Sequence, residues 1–407
     1  QYEVVYTNRM SAGAYRGYGA TQGIFAVEST VNKLADRLSM DPIVLRQKNM
    51  IHEGDVMPAY YGETANSCRL EECLLKASDM IGWKEKGMRT VMPDGKIRAR
   101  GVAMAMQGSS ISNCDVGSVT VKLSDEGTYH ITVGCTDMGT GCDTIIAQFA
   151  ADVLETPIDN ISVYGVDTDI SPYDSGSYAS STTYLTGMAA VKACEQLRER
   201  IIALAAVRMN KDASALTFDG ENVIDESDGA KMSLFDIATA SMCNNEISLE
   251  VTYSHSSPVS PPPFMAACAE IEADPETGAI ELLDYTACVD CGTVVNTNLA
   301  RVQTEGGLLQ GIGMTLYEDI WYDERGKNLS NSFMQYKVPS RLDTDRIRVE
   351  FDSSYEPTGP FGAKSIGEIV INTPAPAIAD AVYNATGVWI NELPITPEKI
   401  LKGMKVI

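Results

Sequence analysis

Two stretches in which apolar and polar residues alternate around a short turn limit the folds open to this chain. Residues 119–133 alternate around Asp125-Glu126-Gly127, and residues 267–288 alternate around a turn that begins at Asp274-Pro275. Alternation of period two that is broken by turn residues predicts a β-hairpin in each stretch. A Gly-containing helix start follows each hairpin, so the same unit occurs over 119–154 and over 267–313. The sequence thus predicts repeated hairpin-plus-helix subdomains and hints at an internal duplication.

Helices are predicted before, between and after these units, but strands and helices do not alternate regularly along the chain. In 24–38 the apolar residues recur every three or four positions, which predicts an amphipathic helix with Glu28, Lys33 and Asp36 on its solvent side. Asp41-Pro42 begins a short second helix, and further helices are predicted at 70–81, 144–154, 185–205, 303–313 and 376–384. Because hairpins and helices are mixed irregularly, we predict the α+β class rather than a doubly wound sheet.

Composition excludes several classes of function. The formal net charge of −23 argues against nucleic acid as the main partner, because phosphate binding needs a basic face. No apolar run approaches the roughly 20 residues that cross a bilayer, and the N-terminal residues lack a signal-peptide pattern. Ten scattered cysteines are typical of reduced intracellular thiols, which predicts a cytoplasmic protein. Cys288 and Cys291 form a single C-x-x-C, which we interpret as a strand end entering a Gly turn rather than half of a metal site.

Three segments place small or hydroxyl residues where a helix is predicted to begin: Gly139-Thr140-Gly141, 179–183 and 303–307. Helix N-termini present free N–H donors and a partial positive charge, so they bind phosphate without any lysine. Ordinary caps and turns use the same residues. The three segments together favour a dinucleotide-like cofactor, although none has the spacing of a P-loop or a Rossmann fingerprint.

Two further residues are candidates for chemistry. Glu368 lies between Ile366-Gly367 and an Ile-Val-Ile run, and a carboxylate among apolar residues resists ionisation and can act as a general base. A surface glutamate at an element boundary explains the same pattern equally well. Arg16 between Tyr15 and Tyr18 can orient an anionic or carbonyl-bearing aromatic ligand, or it can brace a turn.

Several motifs resemble the xanthine dehydrogenase/aldehyde oxidase family in order and spacing from about residue 5 to the C-terminus. They are Tyr15–Gln22 with the following helix, Asp41–Asn49, Gly134–Gly141, Gln303–Gly311, Tyr336–Pro339 and Gly362–Glu368. The resemblance implies that 1–85 is the end of a first molybdopterin-binding half and that 86–407 is the second half, with subdomains at about 86–255 and 256–407. The remainder of the first half is expected on another subunit or to have been lost.

The resemblance also implies roles for individual residues. Glu368 matches the general base, which takes a proton from the oxygen that is transferred to the substrate. Arg16 and Ala179 match residues that line the molybdenum site without a side-chain ligand, and Arg16, Tyr18 and Ser110 fall at substrate-contacting positions. The expected contacts of the pterin cofactor are Gly139, Thr140, Gly141, Ala179, Ser180, Ser181, Thr182 and Gln303.

The implied activity is oxidative hydroxylation of xanthine, hypoxanthine or a related N-heteroaromatic compound with oxygen from water. Aldehyde oxidation at the same site is an alternative, because Tyr18 and Ser109 replace two phenylalanines of the purine enzymes. A third hypothesis is that the chain is a structural half of the site and is inactive without its partner subunit. The implied cofactor is molybdopterin with molybdenum, as a monophosphate or a cytosine dinucleotide, with [2Fe–2S] clusters and FAD on partner subunits. A dimer of heteromers is expected.

Overall fold

The structure is a computed structural model that describes residues 5–7, 13–244, 248–344 and 346–407. The helices of the described residues are α1 Ala20–Arg37, α2 Pro42–Gln47, α3 Leu70–Ile81, α4 Trp83–Lys86, α5 Cys142–Leu154, α6 Gly187–Met209, α7 Leu234–Asn244, α8 Thr297–Leu316, α9 Pro374–Thr386 and α10 Pro397–Met404. The strands are β1 Val56–Met57, β2 Glu63–Thr64, β3 Arg89–Val91, β4 Ile97–Met106, β5 Gly117–Leu123, β6 Tyr129–Val133, β7 Ile161–Tyr164, β8 Leu216–Phe218, β9 Asn222–Asp225, β10 Lys231–Ser233, β11 Glu250–His255, β12 Phe264–Ala273, β13 Ile280–Asp290 and β14 Ile347–Phe351.

The largest sheet has the strand order β14-β13-β12-β4-β3 and is buried on both faces. Strand β12 pairs antiparallel with β13 and β4, and β13 pairs parallel with β14. Along β12, Met265 and Ala267 pack into the core shared with α9, whereas Ala266 and Cys268 pack into the core shared with α3. A Cβ built on Gly101 of β4 would lie 2.1 Å from the Ala377 carbonyl oxygen, so only glycine lets α9 lie this close to the sheet.

The second large sheet, β11-β5-β6-β7, packs against α5 and α6. The predicted hairpins are confirmed, because β5 pairs antiparallel with β6 and β12 with β13. Both large sheets are mainly antiparallel with one parallel pair each, and helices pack on their faces, which confirms the α+β class. Cys288 lies near the end of β13 and Gly292 follows with φ +70°, so the C-x-x-C is a strand end entering a Gly turn, as predicted. No helix in the described ranges combines the length and the apolarity that crossing a bilayer requires.

The polar composition of residues 210–265 predicts irregular structure, and this prediction is wrong: the segment forms β8, β9, β10, α7 and β11, while 245–247 lie outside the described residues. Strands β8, β9 and β10 pair with one another but are only three or four residues long, whereas β11 adds to the edge of the distant β5, so local composition gave little signal for any of them. The predicted boundary near residue 85 lies beside α4 and β3, and β4 after them joins the sheet built around β12. The division into 1–85, 86–255 and 256–407 stays a prediction.

The predicted orientation of α1 is wrong in part: Asp36 is exposed as expected, but the side of the helix that carries Glu28 is buried. Glu28, expected at the solvent, is 5% exposed, whereas Val27 and Leu34 are 56% and 47% exposed. The Glu28 carboxylate accepts hydrogen bonds from Arg46 of α2 at 2.7 Å and from the Met104 amide at 2.6 Å. These polar contacts, which a periodicity argument cannot anticipate, turn the polar face of α1 toward the protein interior.

Candidate functional site

A cavity of about 520 Å³ lies where five chain segments meet. The segments are the loop 14–18 before α1, the start of α5 with 138–145, the turn 177–183, the region 291–303 that leads into α8, and the loop 364–368. Arg16, Tyr18, Gly139, Thr140, Ala179, Ser180, Thr182, Gln303 and Glu368 line the cavity, so residues more than 350 positions apart in sequence are brought together. Of the predicted site residues, Ser110, Gly141 and Ser181 do not line it.

The carboxylate of Glu368 is partly buried at the wall of this cavity, directly before the short 3₁₀ turn Ile369–Ile371. The Ser180 hydroxyl donates a hydrogen bond to Glu368 Oε2 at 3.2 Å. Burial raises the pKa of Glu368, and the Ser180 hydroxyl, the Gly17 amide and the Arg16 charge counteract this rise. The direction of the pKa shift agrees with the expectation from its apolar neighbours.

Arg16 holds the peptide that precedes Glu368. Its Nε donates to the Gly367 carbonyl oxygen at 2.6 Å, and Nη2 donates to the Gln303 carbonyl oxygen at 3.2 Å. Burial lowers the pKa of Arg16, whereas the Glu368 charge raises it. Gly307 makes room for this arginine, because a Cβ there would lie 3.0 Å from Arg16 Cζ. The guanidinium therefore braces the backbone on two sides of the cavity, while its role toward a ligand stays a prediction.

The turn before α6 has an unusual backbone. Ala179 and Ser180 have φ values of +50° and +56°, and Ser110 opposite them has φ +86°. The Ser110 amide donates to the Ala179 carbonyl oxygen at 2.9 Å, which places Ser110 behind the turn rather than in the cavity. Non-glycine residues in the left-handed region are uncommon and cluster at functional sites. The adjacent Ser181 is buried, and its hydroxyl donates to the Gly176 carbonyl oxygen at 3.0 Å.

The helix that follows begins as a single π turn, Thr182–Thr186, which continues into α6. The first amides of a helix have no intrahelical acceptor, and Thr182 and Thr183 both line the cavity. Residues of this predicted helix start therefore lie in the cavity wall. In the sequence, this helix start is marked by the run of serines and threonines at 180–183.

The other two predicted helix starts differ in the structure. The amides of Gly139 and Gly141 donate to the Asp137 carboxylate at 2.8 and 3.1 Å, so an internal anion already occupies this helix N-terminus. Burial opposes ionisation of Asp137, but the amide donors outweigh it and lower its pKa. Ligand atoms of Asp137, Cys142 and Asp143 also lie within 4.8 Å of one another. Sequence reasoning missed Asp137, although an Asp two residues before a Gly is a turn signal.

Gln303 does not open a helix. Helix α8 begins at Thr297, and the Asn296 side chain caps it by accepting from the Leu299 amide at 3.1 Å. Gln303 therefore lies in the second turn of α8, where its backbone amide is inside the helix and its side chain lines the cavity. Gly311 of this segment packs against α9, since a Cβ there would lie 2.6 Å from Pro374 Cγ, whereas a Cβ on Gly306 would meet no atom within 4 Å.

A buried ion pair supports the loop that ends at Glu368. Lys364 and Asp290 are both 0% exposed at their side chains, and Nζ lies 2.9 Å from Oδ2. Lys364 also donates to the Ser67 carbonyl oxygen at 3.2 Å, and its ammonium lies 5.1 Å from the centroid of the Phe264 ring. Because its charge is already paired, this lysine is not free to attract an anion into the cavity.

Comparison with known proteins relates this geometry to characterised folds. A family model described as molybdopterin cofactor-binding domain matches residues 76–345, and a second model of that description matches residues 1–50. The chain is 37% identical over 419 residues to the probable hypoxanthine oxidase XdhD of Escherichia coli K12, covering 100% of this chain and 43% of the relative. It is 33% identical over 405 residues to the putative xanthine dehydrogenase molybdenum-binding subunit XdhA of the same organism, covering 97% of this chain and 54% of the relative.

A solved structure shares the whole architecture. The Cu,Mo-CO dehydrogenase in its carbon monoxide reduced state superposes with a TM-score of 0.89 at 26% identity, covering 99% of this chain and 54% of that chain. The chain therefore spans about half the length of the relatives that it matches.

Proposed function

Because the chain belongs to the xanthine dehydrogenase/aldehyde oxidase family of molybdopterin cofactor-binding proteins, we propose that it forms part of a molybdenum hydroxylase. The proposed reaction is oxidative hydroxylation of a purine or a related N-heteroaromatic compound, with oxygen that derives from water. The observation that carries this proposal is the partly buried Glu368 carboxylate at the cavity wall, with Arg16 bonded to the preceding peptide and Ser180 to the carboxylate itself.

The residues of the cavity fit an anionic pterin cofactor. Its volume of about 520 Å³ lies within the range of small-molecule sites. Amides of the first turn at Thr182 and Thr183, together with their hydroxyls, supply donors without introducing a lysine. Gln303 adds a side-chain amide from the opposite wall, and Gly139 leaves open space, since a Cβ there would meet no atom within 4 Å. The proposed contacts of Ala179, Ser180 and Thr140 follow from their positions around the same cavity.

Within this proposal, Glu368 accepts the proton that is released when oxygen is transferred to the substrate. A raised pKa makes this carboxylate a stronger base than an exposed glutamate, while Arg16 and Ser180 keep it oriented. The bound molybdenum cofactor supplies the two-electron oxidation. Tyr18, which is 58% exposed at the rim of the cavity, offers a flat face for an aromatic substrate. Ser110 can reach the substrate only if the Ala179–Ser180 turn moves, so we assign it a supporting position.

The names of the two bacterial relatives, a hypoxanthine oxidase and a xanthine dehydrogenase subunit, support a purine as the substrate. Steady-state rates with hypoxanthine, nicotinate and benzaldehyde test this choice on the assembled enzyme. Hypoxanthine should give the highest kcat/KM. Preference for benzaldehyde would instead assign aldehyde oxidation to the same site.

The base is tested by replacing Glu368 with glutamine, which keeps size and removes the proton acceptor. We expect Glu368→Gln to lower kcat by at least about a thousandfold, within the range of losses for general-base residues. Molybdenum content should stay near that of the unsubstituted protein, because the side chain is not proposed to hold the cofactor. Retained turnover with normal molybdenum content would refute the assignment.

Assembly is part of the proposal. Because the relatives are about twice as long as this chain, we propose that a further molybdopterin-binding segment, on this or on another polypeptide, completes the site, and that [2Fe–2S] and FAD subunits accept the electrons. Metal analysis tests this: the purified chain should hold little molybdenum alone and about one atom per complex when assembled. Full molybdenum loading of the isolated chain would show that this chain suffices.

A further inference from the structure

A loop behind the cavity wall supports the turn that precedes α6. The loop spans residues 107–116 between β4 and β5, and it runs beside residues 176–181 of that turn. The Ser110 amide donates to the Ala179 carbonyl oxygen at 2.9 Å. Near the other end of the loop, the Val116 carbonyl oxygen accepts, also at 2.9 Å, from the amide of the residue just before the turn. The backbones of the loop and the turn are therefore bonded to each other at two points.

The carboxylate of Asp115 adds a side-chain bond between the loop and the turn. Asp115 is 1% exposed, and its Oδ2 accepts from the Ile111 amide of the same loop at 2.7 Å. Its Oδ1 accepts from the hydroxyl of Tyr178 in the turn. A buried carboxylate needs such donors, because burial of a charge without partners is costly. Tyr178 is thus the residue through which the turn satisfies Asp115.

Tyr178 directly precedes the two residues of the turn that have a left-handed backbone. It lines the cavity, and its carbonyl oxygen accepts from the Ser181 amide at 3.1 Å. Ala179 and Ser180 have φ values of +50° and +56°, a conformation that a non-glycine residue keeps only where the surrounding contacts hold it. The bond from Tyr178 to Asp115 anchors the turn immediately before these two residues, and the Ser181 amide closes it immediately after them.

From this geometry we infer that Asp115 and Tyr178 are positioning residues, which hold the turn so that the Ser180 hydroxyl is directed at Glu368. Ser180 Oγ lies 3.2 Å from Glu368 Oε2, and a Cβ on Gly367 would lie 3.2 Å from the same hydroxyl oxygen. Because this hydrogen bond is already long, a small displacement of the turn would break it. The inference rests on the proposed function for the role of Glu368, whereas the bonds that hold the turn do not depend on that role.

The variant Tyr178→Phe keeps the ring at the cavity wall and removes only the hydroxyl that bonds to Asp115. On the assembled enzyme, we expect the acidic limb of the pH profile of kcat/KM to move to higher pH, with turnover below the limb about two- to fivefold slower. The double variant Tyr178→Phe/Ser180→Ala should show no shift beyond that of Ser180→Ala alone, because Tyr178 acts through Ser180. Arg16, whose charge also acts on Glu368, is unchanged in these variants.

Two further variants test the hydrogen bond itself. Asp115→Asn is the conservative change, because an asparagine amide can accept from the Ile111 amide and donate to the Tyr178 oxygen. It should keep the acidic limb near its normal position, whereas Asp115→Ala should shift the limb to higher pH. The matched control is Tyr164→Phe, which breaks an exposed tyrosine–aspartate pair in which the hydroxyl lies 3.4 Å from Asp167 Oδ2. This control should leave the limb unchanged.

Hydrogen exchange in the 407-residue chain gives a readout that does not depend on turnover. Peptides that cover 176–183 should exchange faster in Tyr178→Phe than in the unsubstituted chain, while peptides from α3 should be unchanged. Unchanged exchange at the turn would overturn the inference, as would a rate loss that is equal at all pH values or that adds to the effect of Ser180→Ala. If Glu368→Gln retained turnover, the proposed function would fail, but the exchange comparison would still decide whether the bond to Asp115 holds the turn.

Discussion

Replacing Ser180 by alanine removes the hydroxyl that donates to Glu368 Oε2 and tests how the structure sets the basicity of that carboxylate. The distance of 3.2 Å is long for a hydrogen bond to a carboxylate, so we assign it about 1 kcal/mol. The donor favours the ionised form, which is the form that can accept a proton. Its loss should therefore raise the pKa of Glu368 further above its usual range, in the same direction as burial does.

One pH unit corresponds to about 1.4 kcal/mol, so the acidic limb of the activity profile should move to higher pH by about 0.7 unit. Below that limb the variant should turn over about fivefold more slowly, and above it the two rates should converge. The assay is the pH dependence of kcat/KM at constant ionic strength, with molybdenum content measured for each preparation. Ser180 is also a proposed cofactor contact, and the metal measurement separates that role from the effect on Glu368.

Ser177→Ala is the matched control. Ser177 lines the same cavity, but its hydroxyl bonds to Thr136, donating to the carbonyl oxygen at 2.8 Å and accepting from the amide at 3.0 Å. This variant should leave the position of the acidic limb unchanged. The reasoning would be refuted if Ser180→Ala lowered activity equally at all pH values, or if the limb moved to lower pH.

Two further predictions concern stability. Lys364→Met leaves the buried Asp290 carboxylate without its cation and should lower the free energy of unfolding by about 3–5 kcal/mol. The control Lys402→Met removes an exposed ion pair and should lower it by less than about 0.5 kcal/mol. Urea denaturation compares the two variants, and equal losses would contradict the argument. Burial raises the pKa of Asp380 to about 7 from a usual value of 3.8, so the folded state binds this proton more tightly and stability falls as pH rises from about 4 to about 7. The free energy of unfolding of Asp380→Asn, measured relative to the unsubstituted protein, should therefore rise by up to about 4 kcal/mol from pH 4 to pH 8. A difference in denaturation midpoint that stayed constant across this pH range would contradict the prediction.

Much of the fold followed from local patterns. Both hairpins and the helices at 70–81, 144–154 and 185–205 were predictable, because period-two and period-3.6 alternation reports which side of an element is buried. The strands between 210 and 265 were not, since β8 to β10 are three or four residues long and β11 depends on a partner more than a hundred residues away. The long strand β4 escaped a clear assignment because it is buried on both faces and so lacks alternation.

The residues of the site could be chosen from motifs, but their arrangement could not. The turn signal at Asp137 did not show that its carboxylate accepts from the amides of both Gly139 and Gly141, and the glycines after Gln303 did not show that α8 begins before it. Helix α1 shows the limit most clearly: its periodicity was recognised correctly, but Glu28 is buried while Val27 and Leu34 are exposed, the reverse of the prediction for these residues. A hydrophobic pattern identifies a face, and only the packing partners decide whether that face is inside the chain.

The sequence by itself determined the family, the α+β class and the presence of one acid in an apolar setting, because these depend on residue types and their spacing along the chain. The tertiary structure alone decided which helix start an internal carboxylate occupies, which donors surround Glu368 and which side of α1 meets the solvent. These depend on contacts between residues far apart in sequence, such as Arg16 with Gly367 and Glu28 with Arg46, whose energies no local pattern contains.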